Sequence, residues 1–288
     1  MRWRSRSLLP RVAGWTAAIL LAFAGGAWAQ MLNFGAGDSD RPIEIEADDG
    51  IEWQQDNEVV VARGNARAIR GEVEVRADVL RAYYRKSEAG GNEISRLDAE
   101  GSVEISSQTE RAWGDAGVYD VQKAVLVLSG RKVRLTSGED EITAEQQLEY
   151  FNLKQMAVAR GNAFARRGEN SLRGDVLVAY FRRDQEGKSR IHRVEAFDNI
   201  HIVTPRDEVW ADRGVYDVET SIATLTGKVT IVRGENTLAG CTAEVNLETG
   251  VSKLRGCKEG GGRVRGLLRP EERTQVDTRD KAKDPSGR

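Results

Sequence analysis

Acidic residues recur along this 288-residue chain, each just after a small residue: Ala47-Asp48, Ala77-Asp78, Gly114-Asp115, Ala144-Glu145, Gly174-Asp175, Ala211-Asp212 and Ala243-Glu244. The steps between them are 30, 37, 30, 30, 37 and 32 residues. Paired carboxylates can cleave glycosidic bonds, one acting as acid and the other as base or nucleophile. An acid that returns at every strand-sized interval fits a turn or cap better, because its side chain bonds local backbone amides. The two histidines, His192 and His201, have no cysteine or acid at zinc-ligand spacing. Neither a G-x-S-x-G elbow nor a G-x-x-x-x-G-K phosphate loop occurs. These residue types point away from an enzyme, and no metal or cofactor is expected.

The acids belong to a larger repeat. Residues 45–130 return at 142–227 without a gap, with 34 of 86 aligned positions identical. Val61-Ala62-Arg63-Gly64-Asn65-Ala66 becomes Val158-Ala159-Arg160-Gly161-Asn162-Ala163, an offset of 97. Arg76-Ala77-Asp78-Val79-Leu80 returns as Arg173-Gly174-Asp175-Val176-Leu177 at the same offset. A catalytic site is usually built once, whereas a unit written twice and begun a third time is the mark of stacked modules. Between the acidic markers lies a second segment centred on glycine: Gly64, Gly101, Gly130, Gly161 and Gly227, with Asp198 in the place of Gly101.

The period within each segment is two. Leu97, Ala99, Gly101, Val103 and Ile105 alternate with Asp98, Glu100, Ser102, Glu104 and Ser106. Such alternation is the half-buried strand of an antiparallel sheet with one dry face. The fold class is therefore all-β. Seven markers with two segments each predict about 14–16 strands, seven per sheet, spanning roughly 34 Å at about 4.8 Å per strand. The first copy carries one extra residue after Gly130, which predicts a bulge at Arg131.

Residues 1–29 read as a signal peptide. Arg2, Arg4, Arg6 and Arg11 precede an apolar run, and Ala27-Trp28-Ala29 closes it. Cleavage takes the formal charge from −2 to −6, which excludes the basic footprint of a nucleic-acid binder. Residues 30–41 read as a flexible lead-in and 42–257 as one continuous domain. From Lys258 onward the alternation ends, and 258–288 reads as a disordered charged tail.

Two cysteines in an exported chain suggest a disulfide. Glu248-Thr249-Gly250 reads as a three-residue hairpin loop pairing Leu247 with Val251. In that register Cys241 and Cys257 lie directly opposite each other.

The dry face holds small residues: Ala62, Gly64, Ala66 and Ala68, and again Ala159, Gly161, Ala163 and Ala165. Either the two sheets lie close together with larger side chains opposite, or a long apolar slot is filled by something else, such as acyl chains.

The serial motif resembles the OstA-like family. It runs I-x-A-D/E, an R-G-N or G-x-V segment, then R-x-D-x-L-x-A-Y, carried by Ile45, Ala47, Asp48, Gly64, Asn65, Ala77, Asp78, Tyr83, Gly130 and their 97-shifted partners. Members of that family include the periplasmic lipopolysaccharide-transport protein LptA and the periplasmic domain of the outer-membrane translocon LptD. The resemblance covers nearly all of 43–255. It implies an incomplete, open-ended β-jellyroll of two antiparallel sheets that holds lipid A chains of lipopolysaccharide between them, in the periplasm.

The implied groove takes the inward-phase residues Ile45, Ile51, Trp53, Val79, Leu97, Val103 and Ile105 in the first copy. In the second it takes Val176, Val194, Ile200, Ile202, Leu225, Val229 and Ile231. The ends of the stack, Ile43 and Ile45 on one side and Val245, Leu247, Val251 and Leu254 on the other, are the implied docking edges. Through them protomers would join head to tail, to an inner-membrane LptC-like anchor and to an outer-membrane LptD-like translocon. A second reading is an OstA-like adaptor that docks by its edges without lipid. The cysteine pair and the tail have no family role.

Overall fold

The computed structural model describes residues 42–86, 91–185, 187, 189–257 and 262–269. The expected signal peptide, the lead-in and most of the tail lie outside them. Every regular element among the described residues is a strand. In the first copy these are β1 (Glu44–Glu46), β2 (Gly50–Gln54), β3 (Val59–Arg70), β4 (Val73–Lys86), β5 (Asn92–Ser106), β6 (Glu110–Asp120), β7 (Val125–Ser129) and β8 (Val133–Ser137). The second copy contributes β9 (Asp140–Ala144), β10 (Gln147–Phe151), β11 (Met156–Arg167), β12 (Asn170–Arg183), β13 (Ser189–Val203), β14 (Glu208–Asp217) and β15 (Ile222–Arg233). The chain closes with β16 (Asn236–Asn246), β17 (Ser252–Arg255) and β18 (Arg265–Leu267). All pairings are antiparallel. β3, β4 and β5 reappear as β11, β12 and β13 with the same lengths and the same 97-residue offset.

The long strands bend. Between β3 and β4 the register runs to Arg63↔Val79 and resumes at Ala66↔Ala77. Equivalent breaks fall at Glu100/Val103, Arg160/Ala163, Phe197/Ile200 and Thr226/Val229. Each break is a corner at which the strand leaves one sheet for the other. Accordingly β2 pairs with the first half of β3, while β1 pairs with its second half. β7 with β10, and β8 with β9, carry both ladders unbroken from one copy to the next.

Fourteen rungs result among the described residues, and each contributes to both sheets. The expectation of seven strands per sheet is corrected to fourteen, because a marker and its glycine segment are two bent strands that both cross the corner. Thirteen steps of about 4.8 Å give roughly 62 Å along the stack, nearly twice the expected span.

The corner explains both recurrent residue types. Gly64 and Asn65 take left-handed φ values of 76° and 43°, opposite the acid of the neighbouring rung. A Cβ at Gly101 would come within 2.7 Å of Asp78 Cγ. The acids in turn take the bulge's polar groups. Asp175 accepts from Asn199 Nδ2 at 2.9 Å, Glu145 from Asn162 Nδ2 at 3.0 Å, and Asp115 from the Arg131 backbone N–H at 2.9 Å. These are corner caps, as the turn reading supposed; Glu244 is the exception, an outward strand residue paired with Thr224 and Lys253. Around Arg131 the strand parts into β7 and β8 across residues 130–132, whereas β15 is continuous.

The C-terminal end departs from the sequence reading in two ways. The last hairpin pairs Val245↔Ser252 and Ala243↔Leu254, one residue away from the expected register. Asn246 N–H donates to Val251 O, and Asn246 Oδ1 accepts from Thr249 N–H, so the loop has four residues instead of three. Cys241 and Cys257 are nevertheless joined, with Cα atoms 5.0 Å apart. Cys241 sits between Gly240 and Thr242 at the corner, the position of Asp212 between Ala211 and Arg213. Beyond the expected boundary at Cys257, β18 pairs with β16 at Thr237–Ala239 and completes the last rung.

Candidate functional site

Inward positions line up from rung to rung, because directly paired residues in an antiparallel ladder share a face. In the second sheet, Ile45 pairs with Ala68, Ala68 with Val75, Val75 with Ile105 and Ile105 with Ala112. The row continues through Leu135, Ile142, Ala165, Leu172 and Ile202 to Val209 and Ile231. The first sheet carries two such rows. One passes through Ala62, Leu80 and Ala99, then Ala159, Leu177 and Ala196. Large and small residues interleave along it.

The sheets line three apolar cavities in file, each partly open to solvent. The first spans Ile43 and Ile45 to Leu126. The second reaches from Leu126 to Val194. The third runs from Leu172 and Val194 to Val245. Leu126 belongs to the first two cavities, and Leu172 and Val194 to the last two, so neighbouring cavities share walls. The small residues therefore occupy two settings. At the corners Ala66 and Ala163 are fully buried and the sheets are packed dry. Away from the corners the sheets part around carbon-lined space.

Most candidate groove residues fall on this interior. Ile45, Leu97 and Ile105 line the first cavity, and Val194, Ile200, Ile202 and Leu225 the third. Val103 and Val229, each 1% exposed, and Ile231 are buried core residues that border none of the three cavities. Four candidates need correction. Val79 and Val176 are half-buried on the outward row, paired with Arg63 and Arg160. The corner shifts the phase by one, so Leu80 and Leu177 face inward in their place. Ile51 and Trp53 lie opposite Ala62 and Val60 but are 50% and 61% exposed, since β2 belongs to the first rung and no described residue lies beyond it. Trp53 instead donates its indole N–H to Tyr84 Oη at 2.7 Å.

The candidate edges also shift. Ile43 and Ile45 are on the first rung and border the first cavity. Val245, expected at the other edge, is fully buried, because β17 and β18 cover β16. Leu247 is half-buried in the hairpin, Val251 is exposed, and Leu254 lies on β17, in the true last rung.

Polar groups missed by the alternation argument stand around the groove. Tyr119, Tyr150 and Tyr216 each border one cavity. Burial raises all three phenol pKa values, that of Tyr150 to about 12. Where strands of the second sheet begin, buried acids meet arginines. Asp207 accepts from Arg233 Nε at 2.5 Å and Nη2 at 2.9 Å, and Asp140 pairs with Arg167. The signal for these was present, as acids opening strands and arginines closing them, but their pairing depends on register. His201 faces outward, 2.7 Å from Glu208 and stacked on Trp210. No group of three or more potential metal ligands occurs among the described residues. What this arrangement offers is contact with hydrocarbon over its whole length.

The molecule is thus an open two-sheet β-jellyroll threaded by an apolar slot. The family described as LptA/(LptD N-terminal domain) LPS transport protein matches it twice, over residues 44–155 and 141–251, and the chain belongs to that family. The second match begins one 97-residue repeat after the first. An uncharacterised protein of Rhizobium meliloti (strain 1021) is 26% identical over 106 residues, 35% of this chain and 56% of the relative. The chain therefore spans about half the length of this curated relative. The crystal structure of LptH from Pseudomonas aeruginosa, an LptA homologous periplasmic component of the lipopolysaccharide transport device, covers 81% of this chain and 99% of its own, at 10% identity and a TM-score of 0.21.

Proposed function

We propose that this chain is a periplasmic conduit that carries lipopolysaccharide from the inner to the outer membrane, with acyl chains held between the two sheets. The file of three adjoining carbon-lined cavities supports this reading above all. Burial of each methylene is worth about 0.8 kcal/mol without a directional bond, so a chain can be held and still slide. The Cys241–Cys257 disulfide suits an oxidising compartment. The chain acts by binding and carries no catalytic role.

The ends of the stack are the docking surfaces, for further copies and for LptC-like and LptD-like partners. The first rung offers the ladder edges of β1 and β2, and the last rung those of β17 and β18, which pair with no further strand among the described residues. Docking therefore involves Ile43, Ile45, Val251 and Leu254, with Val245 and Leu247 one rung behind. In sedimentation velocity, Ile45→Pro should stay folded yet lose the concentration-dependent assembly of the parent. An unchanged series would clear that edge of any part in docking.

Photo-crosslinking tests the conduit. A crosslinker at Ile105 or Ile202 should capture lipopolysaccharide, while one at Glu104, on the outward face, should not. Equal capture at both phases, or none at either, overturns the reading; with none, an adaptor that docks without lipid would remain.

A further inference from the structure

Each cavity is bordered by one tyrosine of the first sheet: Tyr119 in the first, Tyr150 in the second and Tyr216 in the third. The three stand in one inward row. Tyr119 pairs with Leu126 and Leu126 with Tyr150; further along, Val194 pairs with Tyr216. All sit at one level, because each is the penultimate residue of its strand on the side away from the corners. Toward the corner the next inward residues are Gly117, Leu148 and Gly214, which offer no polar side chain.

Tyr150 is the sharpest case. It is 1% exposed, and its hydroxyl makes no hydrogen bond of ordinary geometry, although the Gln155 amide lies near enough to act on it. Burial is the main cause of its high pKa; the Gln155 amide opposes that rise but donates to Asn152 O at 2.6 Å and Oδ1 at 2.9 Å. The charges that act on Tyr150 are Arg183 and Glu110, at strand ends, and the first charge acting on Tyr119 is Arg70, the last residue of β3. The phenol level is thus where hydrocarbon lining gives way to charge. A buried hydroxyl left unpaired is unfavourable, and such groups usually have a partner when the site is in use.

We infer that Tyr119, Tyr150 and Tyr216 are hydrogen-bonding stations for oxygen atoms at the carboxyl end of bound acyl chains, an ester carbonyl or a hydroxyl close to it. The hydrocarbon then runs from the tyrosines toward the corners. The groove would thereby prefer oxygen-bearing acyl chains to plain alkane, and it would set the depth at which a chain rides. This inference rests on the conduit reading and names the ligand chemistry that the slot selects. The tyrosines are specificity-determining residues, and no bond is made or broken.

The test uses the full mature chain, stripped of lipid, with 11-(dansylamino)undecanoic acid as the fluorescent probe. Decane, methyl decanoate and methyl 3-hydroxydecanoate compete for the groove. In the parent both esters should displace the probe at lower concentrations than decane. Tyr150→Phe should weaken the favoured ester about three- to tenfold, the range expected for one net hydrogen bond, and leave decane unchanged. Tyr119→Phe and Tyr216→Phe should act in the same direction, and they replace Tyr150→Phe if its circular dichroism shows it unfolded. Equal losses for both esters identify the carbonyl as the partner; a loss confined to the hydroxyester identifies the hydroxyl. If the phenylalanine variants bind the esters as the parent does, or lose decane equally, the stations do not exist, although the conduit reading survives. A parent that takes up neither probe nor competitors removes both.

Discussion

The two copies of the repeat keep their interior apolar throughout, whereas some outward positions change character. Ile105 and Ile202, Leu80 and Leu177, Ala99 and Ala196, and Tyr119 and Tyr216 are identical residues at equivalent inward positions. Where inward residues differ they exchange volume: Val75 and Ala112 become Leu172 and Val209, while Leu97 and Leu126 become Val194 and Ala223. On the outward face a polar pair even reverses its order. Glu104 faces Arg111 at 3.6 Å in the first copy, and His201 faces Glu208 at 2.7 Å in the second. Interior positions must exclude water and fill a fixed space, so their chemistry is held. A solvated pair contributes little, so its partners can trade places.

Charge inside should be the most damaging change, and equally so in both copies. Ile105→Asp and Ile202→Asp should each cost about 4 kcal/mol or more in urea unfolding, because an unpaired carboxylate enters hydrocarbon. Glu104→Lys and His201→Lys should stay within about 0.5 kcal/mol. A tolerated aspartate in one copy alone would end the equivalence of the two interiors.

The ends of the second-sheet strands distinguish the copies. Arg233 pairs with the buried Asp207, and the equivalent positions in the first copy are Ser137 and Glu110. Arg233→Met should cost about 3 kcal/mol, the low end for breaking a buried pair because the guanidinium is partly exposed. Ser137→Ala should cost well under 1 kcal/mol in the same measurement. Similar losses would mean that the two sites bear the same load.

At the corner, Gly101 corresponds to Asp198, which adopts a left-handed φ of 56°. Gly101→Ala should lose about 1–2 kcal/mol, since any side chain is strained there and the Cβ meets Asp78. The double change Gly101→Asp with Ser102→Asn imports the second copy's corner, where Asn199 caps Asp175, and should lose less than Gly101→Ala. A larger loss would show that each corner is tuned to its own neighbours.

The smallest effect concerns pH. Asp120 and its equivalent Asp217 both have pKa values below the ordinary 3.8, first because the backbone N–H groups of Lys123 and Thr220 bind their carboxylates. A depressed folded-state pKa stabilises fully above the unfolded value and fades as pH falls through the folded one. Asp120→Asn and Asp217→Asn should therefore each cost a little at neutral pH, and the difference from the parent should vanish in strong acid. Divergent pH profiles would separate the copies at these turns.

Much of this was legible in the residues. The 97-residue offset and the period of two were enough for an all-β stack, for the inward phase of Leu97, Ile105, Ile200 and Ile202, and for the corner role of the recurrent acids. Alternation carries that information because a strand turns its side chains through half a circle at each step. It fails wherever a bulge inserts a residue. Val79 and Val176 follow a corner aspartate, and their phase is reversed there.

What the chain determined alone was which faces stay dry, since that follows from local spacing. Three dimensions decided the rest. Bending at each corner put every rung into both sheets and nearly doubled the expected length of the stack. Stacking left Ile51 and Trp53 bare on the first rung and buried Val245 beneath β17 and β18. The last hairpin settled one residue away from its expected register, held by Asn246, and still joined Cys241 to Cys257. These outcomes depend on which rungs lie above and below, and on where two sheets part far enough to leave cavities. Such relations exist between segments distant in sequence, so no local pattern encodes them.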